Sequence, residues 1–180
     1  MAICNPTGSL SVTIREEIRL PNGNMEQSIN TEVITDVNQI MKRTDTIAPT
    51  FSGSGIEILR FVDSEEQQTA GSFVRDTVKY MRFTNLCSTN FLSLYLIQDS
   101  PEAQSPNTGN VGSGDESLFR LDAGKSMVFS NAQFQGTDYY DYVVEGYVDI
   151  QYFSSFASLS SIKAKADTAN VQIEYFVASS

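Results

Sequence analysis

Hydrophobic residues fall on every second position over several short stretches of the chain, and this spacing predicts most of its elements. The densest stretch is 78–98. In its second half Leu92, Leu94 and Leu96 share one side, and Phe91, Ser93, Tyr95 and Ile97 share the other. Period two is the signature of a strand. The break at 85–90 reads Asn-Leu-Cys-Ser-Thr-Asn, residues that tolerate turn conformations. The pattern predicts a β-hairpin with both faces largely covered, placed at the centre of the core.

The same alternation recurs upstream and downstream. Over 10–20, Val12, Ile14, Glu16, Ile18 and Leu20 alternate with Thr13, Arg15, Glu17 and Arg19. Pro21-Asn22-Gly23 follows, and Asn-Gly is a strong hairpin signal. Residues 25–34 are then the return strand, and their poor alternation places them at an edge. Residues 36–43 fit either a helical turn begun at Asp36 or a continuing strand. Residues 50–55 form a Ser/Gly linker, 56–62 a strand, and 63–71 a solvated loop. The longest loop is 99–117, with two prolines and three glycines; loops of this length in compact domains tend to be functional or contact elements. Short strands at 118–121 and 127–130 flank the turn 122–125, and 142–152 reads as another strand. At the end, Ile162, Ala164 and Ala166 and then Val171, Ile173, Tyr175 and Val177 alternate about a turn at 167–170. That predicts a hairpin with one buried face.

Eight to ten short strands with turns every 8–12 residues and little helix predict an all-β fold. The expected architecture is a two-layer antiparallel β-sandwich, jelly-roll-like if connections cross between the sheets. Neither an internal repeat nor a long linker divides the chain. Residues 1–180 are therefore expected to be one β-sandwich domain, with 1–50 read as an extended arm or hairpin contacting neighbours.

Composition narrows the function classes. The 180 residues carry 12 basic and 22 acidic side chains, a net charge of -10. Such a chain repels phosphate backbones, and its basic residues are scattered, so nucleic acid is not an expected partner. An apolar run long enough for a membrane helix is missing, as are the features of a signal peptide, so no membrane partner is expected. Cys4 and Cys87 are too few for a disulfide framework; they read as two small buried hydrophobes or as one bridge. The chain has no histidine, which removes the commonest general base and most zinc sites.

The remaining chemical motifs are weak. Gly124-Lys125-Ser126 ends like a phosphate-binding loop, but Phe119 stands where its first glycine belongs and a strand follows. The pairs Asp138/Asp141 and Glu65/Glu66 could suit glycoside hydrolysis, yet accidental pairs are common in so acidic a chain. No calcium-loop pattern occurs. No catalytic residue, cofactor or metal is assigned, and the chain is not expected to be an enzyme. Tyr139, Tyr140 and Tyr142 offer amphipathic surface. They fit packing in the core, a protein–protein contact or a sugar-stacking platform. Asn107 and Asn110 in the long loop and Asn22 at the first hairpin tip complete the candidate partner contacts.

The segments 79–86 (KYMRFTNL), 90–94 (NFLSL), 121–126 (LDAGKS), 161–169 (SIKAKADTA) and 171–177 (VQIEYFV) together resemble small β-rich virion structural proteins of tailed bacteriophages, cyanophages in particular. The resemblance covers about the C-terminal 100 residues and implies no catalytic residues. It implies a non-enzymatic virion protein, made in the host cytoplasm, often on the exterior of the head or tail and often a homotrimer. Its expected partner is the major capsid protein or another virion protein. The leading expectation is capsid decoration or cementing. A tail, collar or fibre component and a carbohydrate-binding module are the alternatives.

Overall fold

The computed structural model describes residues 8–19, 21, 25–49, 55–98, 116–130, 156 and 159–180. Eleven strands lie among them. They are β1 (Gly8–Arg19), β2 (Met25–Val37), β3 (Gln39–Ile47), β4 (Ile56–Val62), β5 (Ser72–Val74), β6 (Val78–Asn85), β7 (Leu92–Gln98), β8 (Glu116–Leu121), β9 (Ser126–Ser130), β10 (Leu159–Ala166) and β11 (Val171–Ser179). Two one-turn 3-10 helices, Glu65–Gln67 and Arg75–Thr77, are the helical elements of length among the described residues.

The strands form a five-stranded sheet in the order β5-β4-β10-β7-β8, a four-stranded sheet β3-β11-β6-β9, and a separate two-stranded ribbon β1-β2. All pairings are antiparallel except β4 with β5. From β3 to β11, successive strands mostly lie in opposite sheets; β4 to β5 and β7 to β8 stay within one. This is the winding of a jelly roll, so the expected fold class stands.

The two stretches expected as hairpins are built differently. Strand β6 belongs to the four-stranded sheet and β7 to the five-stranded one, and β10 and β11 are divided in the same way. Both turns are therefore arches between layers, and the paired strands face each other across the core. The undecided stretch 36–43 is strand: β2 runs to Val37 and β3 starts at Gln39. Asp36 takes a positive φ of 59° at this junction. The strand expected at 142–152 lies outside the described residues.

Alternation explains the core. Leu92, Leu94 and Leu96 and Ile162, Ala164 and Ala166 point inward from one sheet, against Met81, Phe83, Ile173, Tyr175 and Val177 from the other. All are fully buried. Each large apolar side chain so removed from water stabilises the fold by roughly 1.5–3 kcal/mol.

Asn85 holds two arches together. It is fully buried. Its amide nitrogen donates to the carbonyls of Asn90 at 2.9 Å and Leu121 at 3.1 Å. Its side-chain oxygen accepts from the Cys87 N–H at 2.9 Å, and its own N–H donates to the Lys125 carbonyl at 2.9 Å. One residue thus satisfies backbone groups of the β6–β7 and β8–β9 connections. The second connection turns at Gly124, φ 67°, and leads into β9, so the Gly-Lys-Ser sequence sits between strands.

Burial predicts a graded response to truncation. Leu94→Ala should destabilise the fold by about 2–5 kcal/mol, read as a lower urea midpoint. Leu118→Ala, at a position 61% exposed, should change stability by less than about 0.5 kcal/mol.

Candidate functional site

Among the described residues, the ribbon β1-β2 pairs with neither sheet of the sandwich. Its pairing register runs from Gly8 opposite Val37 to Arg19 opposite Met25. Directly opposed residues share a face. One face therefore carries Leu10, Val12, Ile14 and Glu16 with Ile34, Glu32, Asn30 and Ser28. The other carries Ser11, Thr13, Arg15 and Glu17 with Val33, Thr31, Ile29 and Gln27.

The root of the ribbon lies with its first face on the outside of the four-stranded sheet. Ile34 and Val37 bury against Tyr80 and Ala178, with Leu10, Val12, Val128 and Phe176 packed around them. The Tyr80 and Phe176 rings meet edge to face, with centroids 5.9 Å apart. Three polar contacts fix the position: Asn38 N–H to the Ser179 carbonyl at 2.9 Å, Lys79 Nζ to the Thr35 carbonyl at 3.3 Å, and Ser130 Oγ to Glu32 Oε1 at 3.3 Å. These partners lie on β11, at β6 and on β9 in turn. The ribbon therefore crosses the sheet from its β3 margin to its β9 margin.

At Ile14 and Asn30 the ribbon reaches the β9 margin, where both line a small crevice with Val128 and Ser130. The register continues for five more residue pairs, Arg15–Ile29 to Arg19–Met25. At about 3.3 Å per residue this is an arm of roughly 17 Å beyond the sheet. Ile14 is 44% exposed, Ile29 61% and Val33 60%. Neither long edge of the ribbon is paired among the described strands. The Arg15–Glu17 ion pair, 3.5 Å apart along one exposed strand, adds little stability. An isolated two-stranded ribbon is marginal in water; this arm presents backbone edges and β-branched side chains that another chain could cover.

Beside the root, the same sheet face is polar and half-buried to exposed. The row Thr44, Glu174, Thr84 and Ser126 crosses all four strands. Glu174 accepts from Arg82 at 2.7 Å and from Lys42 at 3.0 Å. The hydrogen bond from Lys42, helped by the charge of Arg82, holds its carboxyl below the usual range.

The candidate contacts expected from sequence, Tyr139, Tyr140, Tyr142, Asn107, Asn110 and Asn22, lie outside the described residues. From sequence, Ile14, Ile29 and Val33 read as strand positions and not as partner contacts. The signal was present in the poor alternation of 25–34, which leaves Ile29 and Val33 on the polar side of the ribbon. Among the described residues no three His, Cys, Asp or Glu side chains converge as a metal site, and no helix is long and apolar enough to cross a membrane.

Cys87, in the β6–β7 arch, is a free thiol. Its sulfur accepts from the backbone of Thr89 and Asn90, and these hydrogen bonds lower its pKa to about 7. No family model, curated protein or solved structure matches this chain.

Two titrations follow from this geometry. Iodoacetamide should alkylate Cys87 with a rate that rises through a midpoint near pH 7, as the thiolate is the nucleophile. Burial raises the pKa of Tyr80 beneath the ribbon's root, with Arg82 opposing the rise and Glu32 adding to it. Burial and the 2.6 Å bond to Asp45 raise that of Tyr175. The unfolded chain releases these protons from about pH 10, before the folded one does. Unfolding free energy measured in urea should therefore be insensitive to these groups below about pH 9.5 and decline above about pH 10. The decline should be smaller in Tyr175→Phe.

Proposed function

We propose that this chain is a non-enzymatic structural subunit that decorates the exterior of a bacteriophage capsid and cements junctions between major capsid subunits. The observation that carries the reading is the arm: a ribbon longer than the sheet it lies on, with apolar residues directed away from its own body. A β-edge of this kind gains affinity through main-chain hydrogen bonds, while alternate side chains select the partner. The sequence resemblance to phage virion proteins supplies the kind of assembly. Jelly rolls serve viral shells, lectins and cupins alike, so the fold alone does not choose among them.

In this role the outward face of the arm, with Ile29 and Val33, lies against the capsid subunit, and the sandwich acts as its rigid base. The charge of -10 keeps the decorating layer from adsorbing nucleic acid. The subunit acts by adding buried area across a junction, typically about 1,200–2,000 Å² for a specific contact.

Purified chain mixed with phage capsids lacking it should co-sediment and raise their resistance to heat. Ile29→Glu with Val33→Glu, at exposed positions, should preserve the fold and weaken binding at least ten-fold, as burying either side chain contributes about 1.5–3 kcal/mol. Absence of binding by the unaltered chain would refute the reading.

A further inference from the structure

An arm that meets a partner with its outward face gains from leaving the body in a fixed direction, and the root of the ribbon shows what fixes it. Apolar side chains make up most of the root's contact: Leu10, Val12, Ile34 and Val37 pack with Tyr80, Val128, Phe176 and Ala178. Glu32, opposite Val12 in the register, breaks this pattern. It is half-buried, where a carboxylate costs free energy unless it is hydrogen-bonded. Its partner is Ser130, the last residue of β9 and only 2% exposed, whose Oγ donates to Glu32 Oε1 at 3.3 Å.

We infer that Glu32 is a positioning residue for the arm: by accepting from Ser130 at the β9 margin it fixes the direction in which the arm leaves the sandwich, so that the outward face is presented already oriented.

Three observations carry this role. The first is place. On this face, Val12 and Glu32 are the opposed pair just before Ile14 and Asn30, which line the margin. The other polar contacts of the root, Lys79 to the Thr35 carbonyl and Asn38 to the Ser179 carbonyl, lie behind it, on β6 and β11. Without Glu32 the foremost of these contacts is at Thr35, roughly 10 Å further back along β2. The second is kind. Apolar packing is non-directional and lets Val12 and Ile34 slide or rock on the sheet, whereas a hydrogen bond weakens steeply out of line. The third is closeness to the sheet. The charge of Glu32 adds to the rise in the pKa of Tyr80, the ring on which the root is seated, so the carboxylate is held over this part of the body. An arm oriented in advance gives up less conformational freedom on binding than a loose one. The hydrogen bond therefore raises affinity, although neither Glu32 nor Ser130 lies on the outward face.

This role rests on the reading of the arm as a contact element, and its first test needs no partner. Nitroxide labels at Glu17→Cys on the arm and Lys125→Cys on the sandwich, in the full chain with Cys4→Ser and Cys87→Ser, report the arm's direction as a distance distribution by double electron–electron resonance. The distribution should be narrow. In Glu32→Ala and in Ser130→Ala it should widen by roughly half, in proportion to the longer free lever, with an unchanged circular dichroism spectrum. Glu32→Gln keeps the acceptor and should restore the narrow distribution. An unchanged distribution in Glu32→Ala, or a broad one before that substitution, overturns the inference. Against capsids lacking the chain, Glu32→Ala should weaken binding about five-fold, the scale of one hydrogen bond. Adding Ser130→Ala should weaken it no further, because the two residues act through one contact. A chain that fails to bind capsids yet shows this pattern of label distances supports the positioning role while refuting the capsid reading.

Discussion

The structure depends on burying period-two apolar stripes between two sheets whose strands alternate along the chain. In a jelly roll each stripe faces one contributed by its sequence neighbours from the other layer. Leu92, Leu94 and Leu96 lie opposite Met81 and Phe83, and Ile162, Ala164 and Ala166 lie opposite Ile173, Tyr175 and Val177. Neither layer is stable without the other, because one face of each would meet water. The arches between layers carry the polar cost of this arrangement, and Asn85 relieves it by satisfying backbone groups of two arches at once. Among the described strands, the ribbon β1-β2 has no such opposing layer past its root.

Strands were legible in the sequence wherever side chains alternated cleanly, and the choice of partner strand was not. Leu92, Leu94 and Leu96 announce one buried face. They do not say whether that face is shared with the preceding strand in one sheet or opposed to it across the core. Both arrangements produce the same alternation, and a turn rich in Asn, Ser and Thr suits either. What separates them is Asn85, whose side chain serves a connection some 36 residues away in sequence, and no local reading finds that. The stretch 36–43 was ambiguous for a related reason. Val37, Ile40 and Met41 fit helical spacing because the chain passes from ribbon to sheet there, and the switch at Asp36, φ 59°, shifts which side is buried.

The candidate surface was legible only in outline. The Asn-Gly signal and the alternation of 10–20 gave the pairing of β1 with β2, whereas the end of the range 1–50 holds β3, a strand of the four-stranded sheet. The ribbon's exposed apolar residues were hidden because Ile29 and Val33 occupy the phase of Arg15 and Glu17, so pattern alone assigned them no side. Their opposition to polar residues becomes visible only once the register of both strands is known.

Edges are where a β-protein shows whether it shields its strands or offers them. An unpaired strand invites pairing with other chains, and soluble sheets blunt it with short length or charge. The sandwich does this at its own margins: β5 is three residues long, β3 carries Lys42 and Arg43, and β8 carries Glu116 and Arg120. The ribbon has strands of twelve and thirteen residues, and beside the exposed charges Arg15, Glu16 and Glu17 it leaves Ile14, Ile29 and Val33 exposed. β-Branched residues are the ones that suit a pleated, half-covered surface. Three margins of the sandwich are thus short or charged, whereas the longest ribbon, unpaired at both edges among the described strands, leaves β-branched side chains exposed.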